Sequence, residues 1–388
     1  MNILFVVRFP VIKDKGGVQR VTATLAEAFR FLKLNVCYLI LDQGNDGVID
    51  GIPQFFLPDG KAISLEENLA FFNDFLMNNQ IDFIINQGGI YKEVIDFLSA
   101  RKQQKVKLIT VHHNCISCLQ ENFKNILRGG KYGKLIRFID YGWFWNLLLK
   151  RNHLKYGALF QTAIQKSDKL VLLSKAFIPE LGVYVSSWPM KKVTAIPNPV
   201  PFEVCQEALS HKENRLLYVG RIEYTQKQCD LLLPLWKKIQ ADFPDWHFDI
   251  VGGGSKLTEL RDLSQNMGLQ NIHFHGFSDP RPFLYRAKFL TMTSSFEGYG
   301  MVLVEAQAYG VVPVAFDSFS ALGSIIEDGQ TGIVVPPFEV EEYVAKITAV
   351  MRDEVKRNAM AEQAQIAVDK FMPAKIAQDW VKLFNELA

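Results

Sequence analysis

Cysteine is scarce: the 388 residues hold five, at positions 37, 115, 118, 205 and 229, an odd number too scattered for a disulfide framework. Reduced thiols in a cytoplasmic protein are the expectation. Cys115 and Cys118 form a Cys-x-x-Cys pair, but no second pair or histidine follows at zinc spacing. Long apolar runs are missing too. None approaches the roughly 20 residues of a membrane-spanning helix. The run Ile3–Val7 is too short for a signal peptide and is stopped by Arg8. The expected place is the cytoplasm or the inner face of a membrane. Neither sign of charge dominates: 43 lysines and arginines against 41 acids leave +2, which argues against a nucleic-acid-binding protein. After the first strand stands Gly16-Gly17 and not Gly-x-Gly-x-x-Gly, which argues against a nicotinamide-dependent dehydrogenase.

What is present is enough for two cores. Hydrophobic residues make up 48% of the chain, and its length suits two domains better than one. Short apolar runs alternate with amphipathic stretches, the pattern of parallel sheets with crossover helices. Strands are predicted at 2–7, 35–41, 81–85, 106–111, 169–173 and 193–196, with a helix of about fifteen residues from Val18. Ile196-Pro197-Asn198-Pro199-Val200-Pro201 then halts regular structure, because proline removes donors and restricts its predecessor. The rhythm restarts with strands at 215–219, 247–251, 271–275, 289–293 and 312–315. After 333–335 the chain reads as helix to its end, Pro373 opening the last amphipathic segment. The fold expected is α/β, with two Rossmann-like doubly wound domains facing across a cleft. Residues 1–200 are expected to form the first domain, 201–370 the second, and 371–388 a helix packing back on the first.

Two segments carry the chemistry. In Ser294-Ser295-Phe296-Glu297-Gly298-Tyr299-Gly300-Met301-Val302-Leu303-Val304-Glu305-Ala306 a strand leads through two glycines into a helix. The amides of Gly300, Met301 and Val302 would open that helix, where unsatisfied N–H groups and the helix dipole bind phosphate. Glu297 in the loop and Glu305 one turn into the helix would accept hydrogen bonds from sugar hydroxyls. Either glutamate alone reads better as an ordinary exposed helical acid, and it is the second segment that changes this. In Tyr218-Val219-Gly220-Arg221-Ile222-Glu223-Tyr224-Thr225-Gln226-Lys227 another strand ends in glycine, followed by two cations suited to a diphosphate.

In this order, Gly220-Arg221…Lys227 and then Glu297-x7-Glu305, the chain resembles the retaining GT-B glycosyltransferases of family 4. The likeness extends to Gly16-Gly17-Val18-Gln19-Arg20, His113-Asn114, Ser174, Ile196-Pro197-Asn198-Pro199-Val200 and Asp328-Gly329-Gln330-Thr331-Gly332. It implies that Glu305 holds the ribose and Glu297 the transferred sugar, while Arg221 and Lys227 stabilise the leaving diphosphate. Gly16 and Gly17 would close on the phosphates, and His113, taken over its neighbour His112 because it precedes Asn114, would sit near the reacting carbon. Gly252-Gly253-Gly254 resembles the family's nucleotide-side turn, with Gly253 at its centre, and His275-Gly276-Phe277 the loop beside the base. The chain departs from the family in having Gln228 where glycine usually follows the lysine, and in a 221–227 spacing one residue longer than the commonest form.

The resemblance thus implies a hexosyltransferase that moves a hexose or N-acetylhexosamine from a nucleotide diphosphate sugar, UDP favoured, with retention. The acceptor would be a glycan or lipid-linked glycan of cell-surface polysaccharide. No Asp-x-Asp motif occurs, so no metal and no other cofactor is expected. Residues 122–160 are basic and aromatic, with Lys124, Arg128, Lys131, Lys134, Arg137, Lys150, Arg151 and Lys155 against Asp140 as the one acid. They read as a peripheral contact with anionic membrane or, equally, as ordinary packed helices. The competing functions are a nucleotide-sugar epimerase and a non-catalytic sugar-nucleotide-binding protein.

Overall fold

The computed structural model describes residues 1–12, 16–42, 44–103, 105–117 and 142–388. Two compact units emerge. One joins residues 1–116, 143–201 and 371–388, and the other is built on 202–370.

The first unit is a sheet ordered β3-β4-β2-β1-β5-β6-β7-β8. Its strands are β1 (Asn2–Val7), β2 (Asn35–Ile40), β3 (Gly47–Ile49), β4 (Ile52–Phe56), β5 (Phe83–Asn86), β6 (Lys107–His112), β7 (Lys169–Leu172) and β8 (Val193–Ala195). All neighbours run parallel except the β3–β4 pair. Continuous apolar runs such as Ile3–Val7 are buried along their whole length, as strands covered by helices on both faces must be. The helix Gly17–Phe31 starts one residue before the predicted position. Its Phe29 stacks on Phe5 at 5.8 Å and meets Trp380 and Phe384 of the terminal helix Pro373–Leu387 at 6.3 and 5.6 Å.

The second unit is an all-parallel sheet ordered β11-β10-β9-β12-β13-β14. Its strands are β9 (Glu213–Val219), β10 (His247–Val251), β11 (Ile272–Gly276), β12 (Ala287–Met292), β13 (Val312–Phe316) and β14 (Ile333–Val335). Its core is separate: Trp236 packs on Phe248 at 5.4 Å and Trp246 on Phe289 at 5.8 Å. In both sheets the order reverses beside the first strand, between β1 and β5 and between β9 and β12. Loops leaving the carboxyl ends of such neighbours splay apart and open a crevice.

Several expectations need correction. Strands β3 and β4 were not predicted, and β5 lies two residues later at its start than the 81–85 reading. The stretch after β14 is helical in three pieces, Val340–Met351, Glu354–Ala367 and Pro373–Leu387. Asp353 breaks the first from the second, its carboxylate accepting from the Lys356 amide at 2.9 Å. Cys115 is disulfide-bonded, against the reduced-thiol expectation; Cys118 lies outside the described residues. Among the described residues no helix is long and apolar enough to cross a membrane.

Candidate active site

Strands β9 and β12 lie side by side, so the loops that follow them, 220–228 and 293–300, leave the sheet together. Hydrogen bonds lace the two loops. The Ser295 amide donates to Gln226 O at 2.7 Å, Ser295 Oγ to Thr225 O at 3.0 Å and Thr293 Oγ1 to Lys227 O at 2.9 Å. Gln226 Nε2 reaches Phe296 O at 3.2 Å. Lys227 is thereby delivered to Glu297, Nζ to Oε1 at 2.5 Å, with both side chains mostly buried. Ser294 Oγ donates to the same oxygen at 2.6 Å. Oε1 is thus engaged twice, while Oε2 takes no protein donor among the described residues. It remains an acceptor for a ligand hydroxyl.

The cationic loop has its own scaffold. The Glu223 carboxylate accepts from the amides of Thr225, Gln226 and Lys227 at 2.9, 3.1 and 2.9 Å. From below, Tyr218 Oη donates to Arg221 O at 2.9 Å, and Cys229 Sγ lies 3.1 Å from Tyr218 Oη. Burial pushes the Cys229 thiol up to about 11 and the Tyr218 phenol well above its ordinary range, so both stay protonated as donors. The Arg221 guanidinium is exposed and donates to Gln226 Oε1 at 3.0 Å.

Gly300 stands just before the helix Met301–Ala308 with φ 82°, a left-handed conformation natural to glycine. The Leu303 amide closes on Gly300 O at 2.9 Å, and the first-turn amides of Met301 and Val302 have no acceptor within the helix. Glu305, in the second turn, is buried. Gly252 and Gly254 pack against neighbouring backbone: a Cβ on Gly252 would stand 1.8 Å from Gly220 O, and one on Gly254 2.3 Å from Ile222 O. Gly253 donates no side chain and accepts from the Ile222 amide at 2.9 Å. Phe277 is 83% exposed, on a loop anchored by His275 Nε2 against the buried Asp249 carboxylate at 2.7 Å.

The remaining candidates lie in the first unit. Gly16 precedes the Gly17–Phe31 helix with φ 147°. His113 follows β6, its Nε2 2.5 Å from Gln87 Oε1 in the loop after β5. Burial lowers His113 to about 4, and burial reinforced by His113 lowers the adjacent His112 to about 3. Both are neutral at pH 7, so His113 Nε2–H donates to Gln87 and Nδ1 is left as an acceptor. The coordinates thus bring Arg221, Lys227, Glu297 and the Gly300–Val302 turn together on one sheet edge, and His113, Gly16 and Gly17 follow strands of the other sheet. Sequence reasoning missed Glu223, Ser294 and Gln226, whose work is to shape the loops. Their only signal is position within the two motifs already singled out.

Two doubly wound units with a site at a strand-order reversal are the α/β architecture of GT-B glycosyltransferases. Residues 202–367, nearly all of the second unit, match the family described as glycosyl transferases group 1. An exopolysaccharide phosphotransferase of Streptomyces coelicolor is 31% identical over 199 residues, covering 50% of this chain and 21% of the relative. An amylovoran biosynthesis glycosyltransferase of Erwinia amylovora is 28% identical over 227 residues, covering 56% and 62%. The chain therefore spans under two thirds of either relative. Among solved structures, Anabaena HepE in complex with UDP-glucose superposes with a TM-score of 0.72 at 17% identity, over 100% of both chains.

Proposed function

We propose that the chain is a retaining glycosyltransferase of family 4, moving a hexose or N-acetylhexosamine from a nucleotide diphosphate sugar, UDP by preference, to a glycan or lipid-linked glycan of cell-surface polysaccharide. The observation that carries this is the Lys227–Glu297 pair beside the Gly300 helix opening. It sets a cation for phosphate next to a carboxylate with a spare oxygen for sugar hydroxyls. The similarity to polysaccharide-assembling relatives and to a UDP-glucose-binding fold supports the same reading.

In this reading the diphosphate lies against the Met301 and Val302 amides, with Arg221 and Lys227 on its flank. Glu297 Oε2 holds the transferred sugar and Glu305 the ribose. The bond from the anomeric carbon to the phosphate oxygen breaks as the bond to the acceptor oxygen forms on the same face. The acceptor's proton passes to the departing phosphate, and no enzymatic nucleophile is needed. The two cations and the amides take the developing charge without a metal. His113, neutral and with Nδ1 open as an acceptor, does not act as an acid in this reading. Removing a donor of this kind typically costs about 10²-fold or more in turnover. Lys227→Ala and Glu305→Ala should each cut transfer from UDP-sugars at least about tenfold; near-normal rates in both would overturn the assignment.

The basic, aromatic stretch 122–160 is read as a peripheral contact with anionic lipid at the inner membrane face; residues 122–141 lie outside the described residues. On the helix Gly142–Lys166, Trp143, Leu147 and Leu154 are 69%, 60% and 64% exposed, at spacings that align them on one side. Lys150, Arg151 and Lys155 are exposed around them. Co-sedimentation should favour vesicles containing phosphatidylglycerol over neutral ones and weaken when the three apolar residues become serine. Equal partition to both vesicle types would remove this contact.

A further inference from the structure

Gln226 stands in the loop after β9, between its two cations, and each of its polar groups is engaged. The amide N–H donates to the Glu223 carboxylate at 3.1 Å. The carbonyl accepts from the Ser295 amide at 2.7 Å and from Ser295 Oγ at 3.2 Å. In the side chain, Oε1 accepts from the Arg221 guanidinium at 3.0 Å and Nε2 donates to Phe296 O at 3.2 Å. Turning the amide over would set oxygen against the Phe296 carbonyl and an N–H group against a cation, so the two partners fix its orientation. The side chain is thus a bridge, anchored on the residue before Glu297 and reaching to Arg221. It lies within the 221–227 stretch that is one residue longer than the commonest form of the resembling family.

Arg221 is held differently at its two ends. Its carbonyl accepts from Tyr218 Oη at 2.9 Å, with Cys229 Sγ at 3.4 Å, so the backbone is pinned from below. The head is exposed, and among the described residues the guanidinium has no acceptor other than Gln226 Oε1 and makes no ion pair. A long exposed side chain loses much rotamer freedom when a ligand fixes it. A contact that already holds the head leaves less freedom for an anion to remove. The chemistry of the holder matters as well. A neutral amide occupies a single N–H and leaves the charge and the other donors for phosphate. A carboxylate in its place would neutralise the guanidinium and stand against the Phe296 carbonyl. An apolar side chain would let the head swing free.

We propose that Gln226 is a positioning residue for the donor's diphosphate: its amide, anchored on Phe296 O, sets the Arg221 head in place while leaving it fully charged. The proposal rests on the transferase reading above for the identity of the anion. Calorimetric titration of the full chain with UDP tests it. Gln226→Met keeps the length of the side chain, removes both of its hydrogen bonds and should weaken UDP about fivefold. Gln226→Glu keeps an acceptor for Arg221 but cancels its charge, and should weaken UDP at least about twentyfold. Arg221→Ala should weaken UDP about tenfold, and adding Gln226→Met to it should cost less than about twofold more, because the bridge then has nothing to hold. A merely structural role would keep its full loss in that background. Should methionine disturb the fold, which circular dichroism reports, Gln226→Asn, too short to span both partners, repeats the test. Wild-type affinity in the methionine variant, glutamate binding UDP as well as methionine does, or an undiminished loss in the Arg221→Ala background would each overturn the proposal. UDP bound equally by wild type and variants removes this role alone. A wild-type chain that binds no UDP removes the transferase reading, and this role with it.

Discussion

Gln228 follows Lys227 with φ 45° and ψ 46°, a left-handed conformation that a side chain with a Cβ adopts at a cost of roughly 1–2 kcal/mol. Its Oε1 is also buried without a partner. The glycine usual at this place in the resembling family has a backbone reason, since the turn that presents the lysine must reverse there. Gln228→Gly relieves the strain and removes the orphaned oxygen, against roughly 0.5–1 kcal/mol for glycine's extra freedom when unfolded. The variant should be more stable by about 1 kcal/mol in urea titration; a lower midpoint would mean that the glutamine amide has a role the coordinates do not reveal. Residues of this kind mark where the sequence stops being legible. Lys227 and Glu297 stand out because charged side chains next to glycine turns are rare in a packed sheet edge. Glu223 looks like any surface acid, and only coordinates reveal the three amides on its carboxylate.

The loops after β9, β10 and β11 are joined backbone to backbone: Gly220 N to Val251 O at 3.0 Å, Ile222 N to Gly253 O at 2.9 Å and Gly252 N to Gly276 O at 2.7 Å. This ladder continues the sheet past its strands and carries Arg221 at its tip. Gly252 and Gly254 allow the close approach with φ of 146° and 159°, whereas a Cβ on Gly253 would meet nothing nearer than Phe277 Cβ at 3.8 Å. Gly252→Ala should therefore cost about 2 kcal/mol or more beyond Gly253→Ala. Thermal denaturation of the two variants checks it, and equal melting temperatures would show that the ladder yields easily. The same elements account for what sequence pattern caught and missed. Buried parallel strands such as β1 and β13 are unbroken apolar runs and read directly. β3 is three residues long, and β4 carries Pro53 two residues after the turn residues Asp50-Gly51, so propensity alone reads that region as loop. Strand order, which places the two chemical loops side by side, is set by crossover geometry and leaves no local signature.

Each unit has its own aromatic core, and the chain's last helix belongs to the unit formed by its first half. Phe384 lies 4.5 Å from Phe83 and 5.6 Å from Phe29, fully buried some three hundred residues further along the chain. Two cores predict unfolding that is not two-state, each unit giving its own transition. Phe384→Ala should lower the transition of the unit containing β1–β8 by an amount equivalent to about 3–5 kcal/mol. UDP should raise the other transition, because ligand bound to a native site stabilises what it binds. Scanning calorimetry of wild type and variant, with and without UDP, separates the two effects. If Phe384→Ala lowered the same transition that UDP raises, leaving the other untouched, then the terminal helix would be supporting the nucleotide-binding unit. The assignment of Arg221, Lys227 and Glu297 to an independently stable half would then fail.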